Sequence, residues 1–225
     1  MPVEVHFQMQ QLCKDRGIEF LSSTFTRRST DFLIDKMGLT SLKLASSRIV
    51  DYDLLDHVNA RADQVHTVYL STGGATLEEI HHAVDHLNAI NSLTLLHCVS
   101  QYPTDDQNVN LRAIPTIQSE FPDLQIGYSD HSRGIEACLA AVALGAKVLE
   151  KHFTYHTRLP GDDHEGALTP ETLRELVEQL TRLETMLGSS DKGPVTDEKK
   201  ALEHLRGEML EVDFDSTHSS SDRKQ

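Results

Sequence analysis

Short apolar runs rich in β-forming residues recur along the chain at 18–22, 41–45, 67–71, 93–99, 125–129 and 147–153, at intervals of 22 to 32 residues. Between them, apolar residues return at helical spacing over 30–37, 52–62, 77–90, 108–121 and 135–144. Alternation of this length predicts right-handed βαβ crossovers and a parallel sheet, either doubly wound or closed into a barrel. The periodicity alone does not separate the two. After the sixth run, the turn-rich loop Arg158-Leu159-Pro160-Gly161-Asp162-Asp163-His164 leads to a well-marked helix start. Thr169 is placed as N-cap, Pro170 takes the first helical position and Glu171 adds charge to the first turn. Leu173, Leu176, Val177, Leu180, Leu183 and Leu187 make one apolar face, which Gly188 ends. Residues 189–196 then read as linker, 197–210 as a short charged helix and 216–225 as a disordered polar tail. The expected division is a domain over 1–188 and an appendage over 189–225.

The ends of the strands separate the two topologies better than their spacing does. Each apolar run finishes in small polar or ionisable residues: Ser22-Ser23-Thr24, Ser46-Ser47-Arg48, Ser71-Thr72-Gly73, Ser100-Gln101-Tyr102, Ser129-Asp130-His131 and His152. A doubly wound sheet gathers ligand contacts at one switch point, whereas a barrel collects them from nearly every strand end. The barrel is therefore the expected form. The last βαβ unit, 124–154, would bring His131 and His152 together at one sheet edge across 21 positions. No GxGxxG follows the first strand and no GxxxxGK[ST] occurs, so neither a dinucleotide nor a nucleoside triphosphate is signalled.

Charge narrows the choice of ligands. With 35 acidic and 21 basic residues in 225, the formal charge is −14. That argues against a nucleic-acid surface, and an anionic ligand would need local basic groups or a metal. No run approaches 18 apolar residues and the N-terminal decapeptide lacks a basic start with an apolar core, so neither membrane insertion nor secretion is expected. Cys13, Cys98 and Cys138 form no CxxC pair, which fits a reducing cytoplasm.

The strings SLKLAS, VYLSTGGATLEEI, LLHCVSQYPTDDQNVNLRAI, GYSDHSRGIEACLAAVALGAKVLEKHFT and LPGDDHEGALTP resemble the sialic acid synthase family. Its members include N-acetylneuraminate synthase and relatives for legionaminic, pseudaminic and spore-coat sugars. The resemblance spans about residues 17–188, with GYSDH, EKHFT and the later PGxD its most specific parts. It implies a TIM (β/α)8-type barrel, here incomplete at about six βα units. It also implies condensation of phosphoenolpyruvate with an N-acetylated amino sugar such as N-acetylmannosamine, release of phosphate, a divalent metal (Mn²⁺, with Mg²⁺ or Co²⁺ as alternatives) and a homodimer.

Carried over residue by residue, His131 and His152 match the two metal ligands. Lys43, Ser46, Ser71, Tyr102 and Ser129 match phosphoenolpyruvate positions, Ser100 stands where relatives often have Asn, and Asp163 matches a carboxylate that bonds sugar hydroxyls. The chemistry is apt. A Lewis-acidic ion polarises an aldehyde without proton transfer, and a lysine with serine hydroxyls suits a phosphate and a carboxylate. Each serine taken singly also reads as a strand-end cap, and only their recurrence favours ligand contact. His97 reads as a hydrogen-bonded core histidine, Arg27-Arg28 as a solvated pair and His81-His82 as an exposed helix face.

Three departures from the family pattern stand out. Arg48 occupies the place where K-x-x-S-x-[E/D] carries an acid, so a permanent cation replaces a proposed acid/base. The family's first two strands, with their acidic and lysine contacts, have no counterpart here, and neither does its C-terminal antifreeze-like domain. The chain begins near the helix that precedes the family's third strand. Six strands of eight would leave two open edges. The competing expectation is a non-catalytic remnant that binds metal or sugar phosphate, or that associates with a full-length synthase. A sugar-phosphate or aromatic-pathway aldol synthase is a weaker third reading.

Overall fold

A computed structural model describes residues 2–210, so the predicted tail at 216–225 lies outside the described residues. The strands are β1 (Ser23–Thr24), β2 (Ser41–Leu44), β3 (Thr67–Ser71), β4 (Ser92–Cys98), β5 (Gln125–Asp130) and β6 (Leu149–Lys151). All are parallel and each pairs with its sequence neighbour, giving one six-stranded sheet in the order β1 to β6. The helices between them are α2 (Arg27–Asp31), α3 (Tyr52–Asn59), α4 (Leu77–His86), α5 (Ala113–Glu120) and α6 (Glu136–Ala143). They are preceded by α1 (Val3–Asp15) and followed by α7 (Pro170–Leu187).

Period-two alternation sorts the strand residues into two populations. Leu42, Leu44, Val68, Leu70, Leu95 and Ile126 pack into the main core with Leu55, Val58, Ile80 and Ile114 of the helices. The intervening residues Lys43, Ser71, Cys98, Ser129 and Glu150 line a cavity on the other face. The sheet is strongly curled. In a flat sheet β2 and β6, four strand spacings apart, would be separated by roughly 19 Å. Yet Lys43 Nζ of β2 lies 3.5 Å from Glu150 Oε2 of β6. The result is the expected incomplete (β/α)8-type barrel, a trough with helices outside.

Where boundaries differ from the sequence reading, the causes are local. The first strand forms at Ser23–Thr24 rather than over 18–22, where Ile18 is 63% exposed. Among the described residues β1 has a strand neighbour on one side only, so its length follows the two rungs it shares with β2. The helix expected over 30–37 begins at Arg27, because Thr26 caps it reciprocally with Ser29, and it continues as a π turn, Phe32–Lys36. The helix expected over 108–121 is interrupted by Asn110 at φ 48°, and α5 starts only at Ala113. Pro115 fits there because the third helical N–H has no intrahelical partner to lose. The last strand is three residues long, inside the 147–153 run. The periodicity did not mark α1, which buries no residue.

The chain forms two compact units, Met1–Leu187 and Gly188–Gln225. Gly188, at φ 56°, terminates α7, and the second unit contains α8, Thr196–Leu210. No helix among the described residues is long and apolar enough to cross a membrane.

Candidate functional site

The cavity opens at the C-terminal edge of the sheet, encloses about 290 Å³ and draws residues from every strand or the loop that follows it. Lys43 projects into it from β2. The side chain is 6% exposed, and its ammonium donates to the Leu44 carbonyl at 2.9 Å and faces Glu150 at 3.5 Å. Burial lowers its pKa, while the Glu150 carboxylate works in the opposite direction. Ser46 follows β2 in a short 3₁₀ turn and accepts the Gly73 N–H at 2.9 Å, which ties the β2 and β3 loops together. Ser71 donates to Glu150 Oε2 at 3.4 Å. Ser129 on β5 is buried and lines the same space. A cation and three hydroxyls thus converge on one volume in a chain whose net charge is strongly negative.

His131 and His152 come from the ends of β5 and β6. Their rings stand 5.2 Å apart at 51°, with the Tyr102 ring 4.1 Å from His131 and 6.0 Å from His152. His131 Nδ1 donates to the Val99 carbonyl at 2.9 Å, which fixes the tautomer and leaves the Nε2 lone pair available. Burial, opposed by that hydrogen bond and joined by His152, lowers the His131 pKa. A neutral imidazole with a free Nε2 lone pair can ligate a metal ion. Among the described residues no group of three or more His, Cys, Asp or Glu side chains stands in metal-holding geometry. An ion here would take its remaining donors from water or substrate.

The other sequence candidates fall around this centre. Tyr102 lines the cavity, and Asp163 shares an adjoining small cleft with Tyr102, His131 and His152. Ser100 does not line the cavity. Its Oγ lies behind Gly73, 2.4 Å from where a Cβ on that glycine would sit, with Ser46 Oγ 2.8 Å away. Arg48 turns aside as well, its Nη1 donating to Asp51 Oδ2 at 3.3 Å while its buried Nε has no partner. His97 is the core residue it reads as, 6% exposed with Nε2 donating to the Val109 carbonyl at 3.0 Å, and burial lowers its pKa.

Sequence reasoning missed Glu150, Cys98 and the pair Asp130–Lys151. Glu150 was accessible to it, standing two residues before His152 and so on the same face of the strand, whereas Cys98 lines the cavity although Ser100, two residues on, does not. Cys98 sits between Lys43 and the serines, and burial raises its thiol pKa. Asp130 and Lys151 each precede a candidate ligand and form an ion pair at 2.6 Å with side chains 0% and 4% exposed. Nothing in composition marks a pair that is visible only through strand register.

This arrangement can now be set beside known proteins. The NeuB family model matches residues 1–192. N,N'-diacetyllegionaminic acid synthase of Legionella pneumophila is 40% identical over 201 residues, 87% of this chain and 55% of that protein. Human N-acetylneuraminate-9-phosphate synthase is 35% identical over 188 residues, 82% of this chain and 51% of that one. The crystal structure of N-acetylneuraminic acid (sialic acid) synthetase from Leptospira borgpetersenii, in complex with citrate, superposes with a TM-score of 0.83 at 33% identity, covering 92% of this chain and 71% of that one. The chain therefore spans about half the length of the curated relatives it matches. Curled sheet, strand-end cavity and family match agree, and the chain belongs to the NeuB family.

Proposed function

We propose that this chain carries the substrate centre of a synthase that condenses phosphoenolpyruvate with an N-acetylated amino sugar, N-acetylmannosamine being the reference case, and releases phosphate. The observation behind this reading is the convergence of Lys43, three serines and two imidazoles 5.2 Å apart in one strand-end cavity. Lys43, Ser46, Ser71 and Ser129 bind the phosphate and carboxylate of phosphoenolpyruvate. Glu150 balances Lys43 and must be displaced as the anion enters. His131 and His152 hold a divalent ion, Mn²⁺ with Mg²⁺ or Co²⁺ as substitutes, and Asp163 beside them bonds sugar hydroxyls. Such an ion, when bound, supplies Lewis acidity for polarising the sugar aldehyde. Since Arg48 is held at Asp51 and Asp130 is committed to Lys151, Glu150 is the cavity carboxylate left to move a proton.

A second reading is favoured by Arg48 in place of the expected acid: a binding-competent but catalytically silent protein. Phosphate release from phosphoenolpyruvate, N-acetylmannosamine and Mn²⁺, measured beside calorimetric titration with each ligand, separates the two. The first reading predicts release that requires all three. Binding without release establishes the second, and a folded chain that binds neither Mn²⁺ nor phosphoenolpyruvate defeats both.

A further inference from the structure

Asp130 and Lys151 are direct partners in the β5–β6 register, so they occupy the rung immediately before His131 and His152. Every polar atom of the pair is engaged. Asp130 Oδ1 accepts from the Tyr128 hydroxyl at 2.9 Å, the Ser132 N–H at 2.8 Å and the Ser132 hydroxyl at 2.7 Å. Asp130 Oδ2 accepts from Lys151 Nζ at 2.6 Å and from the Cys138 thiol at 3.2 Å. Lys151 Nζ also donates to the Ser132 carbonyl at 2.7 Å. The backbone on both sides of His131 is thereby tied to the residue that precedes His152.

Stability alone does not account for such a pair. Two charges this deeply buried lose about as much in desolvation as they regain by attraction, and a well-packed apolar pair is often as stable. What the ion pair supplies that an apolar pair does not is directional register. Further contacts tighten the same corner. The His131 carbonyl accepts the Thr104 N–H at 2.9 Å, and the His152 carbonyl accepts the Leu168 N–H at 2.8 Å. From this clamped backbone, His131 reaches the Val99 carbonyl with its Nδ1 at 2.9 Å.

We infer that Asp130 and Lys151 are positioning residues that set the spacing and angle of the His131 and His152 imidazoles for a divalent ion. The inference rests on the reading of those two histidines as ligands. Both residues border the cavity, but their side chains are 4% (Lys151) and 0% (Asp130) exposed and turned on each other, so the pair acts through the backbone of the residues next to it. Supports beyond the ligand shell typically change metal affinity 10- to 100-fold when removed.

The test titrates Mn²⁺ into the full 225-residue chain by calorimetry and records thermal melting alongside. Wild type, His131→Ala and the apolar double variant Asp130→Leu/Lys151→Met are compared. The inference predicts that the double variant still melts cooperatively but binds Mn²⁺ about 10- to 100-fold more weakly. A purely structural pair shifts the melting temperature and leaves the affinity of the folded protein unchanged. A folded double variant with affinity within twofold of wild type therefore overturns the inference. If the double variant does not fold, Lys151→Arg carries the test. It keeps the charge but not the ammonium's fit between Asp130 Oδ2 and the Ser132 carbonyl, and it is expected to weaken Mn²⁺ binding severalfold; unchanged affinity again overturns the inference. His131→Ala distinguishes the two layers, because undiminished Mn²⁺ binding by that variant refutes the ligand reading and the inference with it.

Discussion

At the scale of single residues, the proposed function makes the cavity an anion site inside an acidic protein. Lys43 is the side chain on which that depends, being buried and paired with Glu150 and the Leu44 carbonyl. Lys43→Met removes the cation while nearly conserving the stem. Charge-assisted hydrogen bonds are worth about 1.5–3 kcal/mol, so phosphoenolpyruvate affinity is expected to fall at least about 10-fold by calorimetry. Melting should change little or rise, because burial already lowers the pKa of that ammonium. An affinity unchanged in Lys43→Met would remove the lysine from the site. Much of this level is legible in the sequence. Ser46, Ser71, Ser129, His131 and His152 are readable because each ends an apolar run, and a strand end in a barrel faces the ligand. Glu150 is harder to see, because a Glu-Lys step inside a strand looks like surface charge until the strand's two-residue alternation is applied.

At the scale of elements, the β5–β6 pair shows why some residue identities are fixed by backbone approach. A Cβ on Gly127 would stand 2.6 Å from the Val148 carbonyl and 2.5 Å from Leu96 Cδ2. That carbonyl also accepts the Tyr128 N–H at 2.8 Å, so the two strands cannot part without losing a ladder bond. Gly127→Ala is expected to destabilise the fold by about 2–3 kcal/mol in denaturant titration. Gly193→Ala, with nothing within 4 Å, serves as the control and should be nearly neutral. A milder test concerns α4, where the Thr76 hydroxyl accepts the Glu79 N–H and Glu79 returns a bond to the Thr76 N–H at 2.7 Å. Thr76→Ala should cost about 1 kcal/mol in the same assay. Helix α7 follows from Thr169, Pro170 and Gly188 almost to the residue, since caps and breakers are local chemistry. The first strand is displaced from its expected place because its extent depends on a neighbour, and pairing partners leave no local mark.

At the scale of the whole molecule, two histidines are held neutral by the fold. Burial lowers the pKa of both His97 and His131, so the unfolded chain binds more protons than the folded one as the pH drops below about 6.5. Stability is then fully present above that value and is lost as pH falls toward the folded-state pKa values. The slope is bounded at about 1.4 kcal/mol per pH unit for each histidine. Scanning calorimetry between pH 8 and pH 5 should show a falling melting temperature. His97→Gln, whose amide can still donate to the Val109 carbonyl, should flatten that dependence; an equal slope in both proteins would contradict the assignment.

The parallel α/β class is legible at this scale because a parallel sheet imposes long, regular strand spacing, and the barrel form because nearly every strand ends in polar residues. The curl itself is not, since it appears only when Lys43 on β2 meets Glu150 on β6. That meeting creates the cavity, and the cavity is where the central claim can be examined. Crystals of the chain grown with Mn²⁺ and phosphoenolpyruvate would give an anomalous difference map at the manganese edge. The account predicts one peak between the imidazoles of His131 and His152, with the phosphate against Lys43. Phosphoenolpyruvate density in the cavity with no manganese peak at the two histidines, or a peak at another site, would contradict it.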